Sequence, residues 1–278
     1  MLSIASLPRS TYYYERSKVD NDIKNIGVIN QIKEIFLEHN HRYGYRRISL
    51  ALRNKGFIVN HKKVKRLMSK LNLYARISKA KYKSYRGSFS KICKNALLNK
   101  VGDQYQREFD TTACNQKWTT DVSEFKIAAG KLYLSPILDM HNGEIVSFDI
   151  SSSPNFNQIT NMLNQGFRKY KNLDNLIFHS DQGWQYQMHA YQKRLAEKHI
   201  TQSMSRKGNC LDNAMMESFF GVMKQEMFYG FESSFKSLDE LKEAMIEYIE
   251  YYNTRRIKVK LKGLTPVQYR NQSLKLAA

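Results

Sequence analysis

Three acids stand apart from the 25 Asp and Glu of this 278-residue chain because of where they fall. Asp121 lies in WTTDVSEF and Asp181 in LIFHSDQG, each in or at the end of an apolar, strand-like run. Glu217 lies on the helical part of SMSRKGNCLDNAMMESFFGVMKQE. Between the first two acids there are 59 residues, and between the second and third there are 35. Three clustered carboxylates repel one another unless cations neutralise them, and hard divalent ions favour carboxylate oxygen. Phosphodiester cleavage suits such a cluster: two Mg²⁺ ions roughly 3.5–4 Å apart activate a water and stabilise charge on the attacking and leaving oxygens. Spacing alone leaves the choice open, because residues 113–278 hold 17 acids. Glu124, Asp139 and Asp149 read equally as edge or solvated charges, and Asp212 or Asn213 as an N-cap of the Glu217 helix.

The elements that must position these acids are legible in outline. Met216, Phe220, Met223 and Met227 make the buried stripe of the Glu217 helix. Gly221 and Lys224 fall within about 40° of Glu217 on the helical wheel, so they share its face. A glycine there leaves room for a bulky ligand, and a lysine beside a carboxylate suits a phosphate lying across both, although such Glu/Lys pairs are also common on ordinary helices. The preceding SRKGN, with Arg206 and Lys207, reads as a DNA-gripping loop. Upstream, KWTTDVSEFKI, KLYLSPILDM and EIVSFDISSS are β-rich runs joined by turns at Ala129-Gly130 and Asn142-Gly143, an antiparallel meander. A helix over about 157–170, a strand NLIFHS, a helix around 187–198, a strand ITQSMS and the Glu217 helix follow. That order predicts an α/β core with a ribonuclease H-like, mixed five-stranded sheet flanked by helices, over 113–275 and with a C-terminal helical tail.

The first part of the chain is different. The net charge is +20, and residues 1–112 carry 24 Lys/Arg against 8 Asp/Glu, while residues 113–278 carry 21 against 17. From His41 to Lys100 there are 18 basic residues and no acid, which marks a polyanion-binding segment rather than an ordinary solvated face. Residues 1–27 read as an arm. Residues 28–75 read as a small all-α helix-turn-helix domain with Ile29, Ile32 and Phe36, then Tyr45, Ile48 and Leu52, then Val64, Leu67 and Met68 facing inward. Gly56 ends its second helix and Asn60 caps its third. Arg46, Arg47, Lys62, Lys63, Lys65 and Arg66 are its candidate DNA contacts. Residues 76–112, with Lys/Arg interleaved with Tyr and Phe, read as a basic linker. Three scattered cysteines without a CxxC imply neither a disulfide framework nor a zinc site and point to a reducing, cytoplasmic compartment. No run has the ~18 apolar residues of a membrane span.

With these residues in view, the chain resembles the OrfB-type transposases of bacterial insertion sequences, whose catalytic core is similar to that of retroviral integrases. The likeness runs over nearly the whole chain: LPRSTYYY, YGYRRI with the following VN.K.V.RLM, WTTD, HSDQG, SMSRKGNC.DNA..ESFF and YYNTRR.K..LKGLTPVQY. The resemblance implies that Asp121, Asp181 and Glu217 are the metal ligands of a DDE transposase using Mg²⁺, with Mn²⁺ as substitute, and that Lys224 touches DNA near the cut. It implies a structural or DNA-contacting tail motif of Tyr252, Asn253 and Arg256 beside Pro266 and Tyr269. Lys258 stands where the family often has histidine and Leu211 where an aromatic is common; neither touches the triad. The expected partners are double-stranded DNA at element ends and target, a homo-oligomer on DNA, and an OrfA part, which this chain lacks and to which such chains are often fused by frameshifting. A non-catalytic regulator of the fused protein, or a nuclease without joining activity, are the alternatives.

Overall fold

The computed structural model describes residues 8–14, 24–76, 93–101, 104–206 and 209–277, which fall into two compact units. One comprises residues up to Arg76 together with Ile257–Gly263; the other runs from Ile77 to Arg256 and resumes at Leu264.

The first unit contains α1 (Ile26–Glu38), α2 (Tyr45–Asn54) and α3 (His61–Lys70). Ile32, Ile35, Phe36, Ile48, Leu52, Val64, Leu67 and Met68 form its core, at the helical spacing of the sequence. After α2, Gly56 takes φ +86°, and the Phe57 amide turns back to the Leu52 carbonyl at 2.9 Å. Asn60 caps α3 by accepting from the Lys62 amide at 2.8 Å. The core is completed from far along the chain: Ile257 is buried in it and its amide donates to the Tyr43 hydroxyl at 2.9 Å. Asn54 Nδ2 donates to the Gly263 carbonyl at 2.9 Å. Residues 257–263, expected in the catalytic core, thus pack with the helical unit, because an apolar side chain is buried where its neighbours are and not where its sequence position falls.

The second unit is a mixed α/β structure. Its strands are β1 (Leu98–Val101), β2 (Gln104–Arg107), β3 (Lys117–Thr120), β4 (Ser123–Ile127), β5 (Gly130–Asp139), β6 (Ile145–Ser151), β7 (Ile177–Ser180) and β8 (Thr201–Met204). The long β5 pairs antiparallel with β4 through Gly130–Leu134 and with β3 through Ile137–Asp139, and with β6 along its other edge. β3 pairs parallel with β7, and β7 parallel with β8. Six strands therefore fill five positions. The strand expected across WTTDVSEF is interrupted at Asp121, whose Oδ1 accepts from the amide of Val122 at 2.7 Å and takes that donor away from the ladder.

The helices are α4 (Phe156–Lys169), α5 (Trp184–Gln187), α6 (His189–Ala196), α7 (Ala214–Met223), α8 (Leu238–Thr254) and α9 (Pro266–Ala277). Trp118, Ile137, Val146 and Phe178 pack on α4 and α6 through Ile159, Met162, Leu163, Tyr191 and Leu195. Phe125, Leu132, Leu134 and Leu138 pack instead on α7 and α8 through Met216, Phe219, Met223, Leu241 and Met245. Neighbouring β5 residues Ile137 and Leu138 thus serve opposite faces, the two-residue alternation of a strand buried on both sides. The segment expected as a linker is not linker throughout. β1 and β2 form an antiparallel hairpin, and the Ala96 amide donates to Ser203 Oγ at 2.9 Å, fastening this stretch to the sheet. Among the described residues no helix is long and apolar enough to cross a membrane.

Candidate active site

Asp121 follows the last residue of β3 and Asp181 the last residue of β7. The two strands are adjacent and parallel, with Thr119 opposite His179, so both acids emerge side by side at the carboxyl ends of neighbouring strands. Open α/β sheets characteristically bind ligands in that position. Each acid is partly exposed and each is oriented by the chain just after it: Asp121 by the Val122 amide, Asp181 by the Gly183 amide at 2.9 Å.

Glu217 comes from α7, which is tied to β3 directly before Asp121. The Thr119 hydroxyl donates to Asn213 Oδ1, and Asn213 Nδ2 donates to the Thr120 carbonyl at 3.1 Å. Asn213, read from the sequence as a possible cap, makes no side-chain capping bond; it bridges helix and strand. The expected buried stripe is present, with Phe219 added to it.

The acids act on one another electrostatically. Burial raises the Asp121 carboxyl pKa, and the charges of Asp181 and then Glu217 raise it further; the Val122 amide and Lys224 act in the opposite sense. Burial also raises Asp181, against the pull of the Gly183 amide. Among the described residues no three His, Cys, Asp or Glu side chains are already closed around a single point. The charges of Asp181, Glu217 and Lys224 all act on Asp121, and the three acids form a donor set that fits hard divalent cations: all the donors are oxygen, and the like-charge repulsion is what such ions relieve. The competing acids are committed elsewhere. Glu124 pairs with Lys131 at 3.0 Å, Asp139 with Arg270 at 2.7 Å, and burial raises Asp149, opposed by a hydrogen bond from Asn161.

Lys224 is half-buried, with its ammonium 4.9 Å from the centre of the Phe125 ring. Burial lowers its pKa, while Glu124 and Asp121 support the charge. A side chain added at Gly221 would meet nothing within 4 Å, in keeping with open space on this face.

Two of the expected DNA contacts are engaged within the protein. Arg256 is buried, and its Nε and Nη2 hold Glu226 at 2.8 and 2.7 Å, so it is a structural member of the tail. Arg206 donates through Nε and Nη2 to Asp212 at 2.9 and 2.8 Å; Arg107 Nε, at 2.8 Å, and Asn95 bind the same buried carboxylate. Burial alone would raise Asp212, but the Arg206 and Arg107 hydrogen bonds outweigh it and bring the pKa down to about 2. A guanidinium so engaged is a clasp rather than a free grip. Lys207 lies outside the described residues. Sequence reasoning missed Arg107 and Glu226, and it offered Asn213 as a cap rather than as the bridge between helix and strand.

In the helical unit, Lys62, Lys65 and Arg66 line an open cavity of about 630 Å³ with Tyr45, His61, Ser69 and Lys70. Arg46 is exposed beside Tyr45. Lys63 is half-buried, and Arg47 is turned inward, with its guanidinium over Tyr43 and donating to the Arg42 carbonyl at 3.3 Å.

A ribonuclease H-like sheet with acids at the ends of adjacent parallel strands, and a third acid on a packed helix, defines an integrase-type catalytic core. Residues 111–210 and 217–274 match two family models described as Integrase core domain, and residues 23–81 match one described as HTH-like domain. The InsK protein of insertion sequence element IS150 from Escherichia coli is 49% identical over 98% of this chain and 93% of its own length. A transposase-like protein of Haemophilus influenzae is 51% identical over 78% of this chain and 95% of its own. The transposase for insertion sequence element IS904 of Lactococcus lactis is 36% identical, over 82% of this chain and 87% of its own. The chain belongs to the insertion-sequence transposases with an integrase core domain.

Proposed function

We propose that the chain cuts and joins insertion-sequence DNA ends, with Asp121, Asp181 and Glu217 as its catalytic, metal-holding carboxylates. The observation that carries this reading is the parallel pairing of β3 with β7, which sets Asp121 beside Asp181 while Asn213 ties the Glu217 helix to the same strand end. Two Mg²⁺ ions, or Mn²⁺ in their place, supply Lewis acidity toward phosphate oxygens and make water acidic when bound to such a set.

The residues themselves do the rest. The three carboxylates would hold the ions at the strand ends, and Lys224 meets the phosphate charge beside them. Water attacks the phosphodiester at an element end, the P–O bond to the leaving oxygen breaks, and a 3′-OH is released. That 3′-OH then attacks a target phosphodiester in one displacement, forming one P–O bond as another breaks, with no covalent protein intermediate. The cavity lined by Lys62, Lys65 and Arg66 supplies sequence-independent phosphate contacts from the helical unit. Two ends must be held together, so the working form is at least two copies on DNA, with an OrfA part contributing where one is present.

A Glu217→Gln protein tests this. It is expected to bind end-containing duplex normally and to lose both nicking and joining in Mg²⁺; retained joining overturns the assignment.

A further inference from the structure

Lys224 does not simply continue the Glu217 helix. α7 ends at Met223, and Lys224–Phe228 form a π-helical turn in which the Tyr229 amide reaches the Lys224 carbonyl, five residues back, at 2.6 Å. Such turns are uncommon because they are wide and poorly packed, and they recur at functional sites. Something must hold this one open.

Glu226, in the middle of the turn, is held from α8 and the segment after it. It accepts from the Tyr248 hydroxyl at 2.9 Å and from Arg256 Nε and Nη2 at 2.8 and 2.7 Å. Only 4% of the Arg256 side chain and 11% of the Glu226 side chain are exposed, and the guanidinium also lies 5.6 Å from the centre of the Tyr252 ring. This is a bidentate, charge-assisted contact to one residue of an irregular turn, and its planar geometry fixes orientation as well as distance. Two residues earlier, the Lys224 side chain leaves the same turn, lies over Phe125 and comes within electrostatic reach of Asp121.

We propose that Arg256 and Glu226, with Tyr248, are a positioning set that holds the π turn and thereby aims Lys224 at the phosphate in the acid cluster. The inference rests on Lys224 being a DNA contact and says what places it. None of the three touches DNA. Their effect on DNA passes through Lys224.

The test uses the full-length protein and a duplex carrying the element's end, reading affinity against salt and the kcat and KM of joining. Arg256→Lys keeps the charge but not the fork, and Tyr248→Phe removes one hydrogen bond. With the thermal transition retained, Arg256→Lys is expected to weaken binding by about tenfold, and Tyr248→Phe by less. Each should flatten the salt dependence, by up to about one unit of slope. In a Lys224→Ala background neither substitution should weaken binding further. Equal losses in both backgrounds overturn the positioning role and leave the Lys224 contact standing. A Lys224→Ala protein with unchanged affinity and salt slope overturns the contact, and the positioning role with it. If Arg256→Lys does not fold, Tyr248→Phe in the two backgrounds decides between these outcomes.

Discussion

Thr119 on β3 and His179 on β7 stand opposite each other in a parallel pair, and each precedes a partly buried aspartate by two residues. That register brings Asp121 and Asp181 together across 59 intervening residues. A slip of one residue would send one carboxylate to the other face of the sheet. The site therefore depends on strand pairing as much as on the acids.

Asp121→Asn and Asp181→Asn are each expected to reduce DNA nicking and joining at least a thousandfold while leaving affinity for end-containing duplex within a few-fold. Gel assays of cleavage and joining, beside equilibrium binding, check this. Activity within tenfold of the parent protein would remove that residue from the catalytic set.

The raised pKa values of Asp121 and Asp181 make stability depend on pH in a definite direction. From about pH 4, where an unfolded aspartate titrates, up through the higher native values, the native state holds more protons than the unfolded chain. Their stabilising contribution is complete below that range and is lost as pH rises. In metal-free buffer, thermal melts across pH 4–8 should show this loss, and Asp121→Asn should reduce it. Added Mg²⁺ should raise the melting temperature of the parent protein more than that of Asp121→Asn.

Asp212 shows the opposite sign. With its pKa brought down to about 2, its contribution is present above about pH 4 and is lost as pH falls toward 2. Asp212→Asn leaves Arg206 and Arg107 without their shared carboxylate and is expected to destabilise the second unit by about 2–4 kcal/mol, discounted for the partial exposure of Arg107. Denaturant unfolding at neutral pH measures it, and a change below about 0.5 kcal/mol would show that the clasp is dispensable.

Asn213→Ala breaks the tie between α7 and β3 without touching an acid. It should lower kcat for joining with little change in DNA affinity, because Glu217 loses its anchor while the phosphate contacts of the helical unit remain. A pure affinity defect would contradict that role.

Ile257→Ala should destabilise the helical unit by about 2–4 kcal/mol, the cost of a cavity in a small core. Hydrogen exchange localised to α1–α3 reads the effect. Unchanged protection there would mean that the core closes without the 257–263 segment.

The local features of the chain were written in its residues. Asn60 as a cap, Gly56 as a stop, the stripe of the Glu217 helix and the alternation of the β-rich runs all depend on neighbours within a few positions, where periodicity and backbone preference act. The strand-end settings of Asp121 and Asp181 and the helical setting of Glu217 were also legible, whereas spacing alone left these three among 17 acids and only the family resemblance singled them out. Tertiary structure decided which polar groups are spent on one another. Arg206 and Arg256 look like free cations in sequence, yet Asp212 and Glu226 occupy them; the first pairing spans six residues and the second 30, and nothing local distinguishes either arginine from Lys62 or Lys65. The same holds for the break at Asp121, the bridge made by Asn213 and the return of Ile257 to the helical core. Short-range patterns determine elements, whereas long-range burial and charge pairing decide which residues remain free to meet DNA.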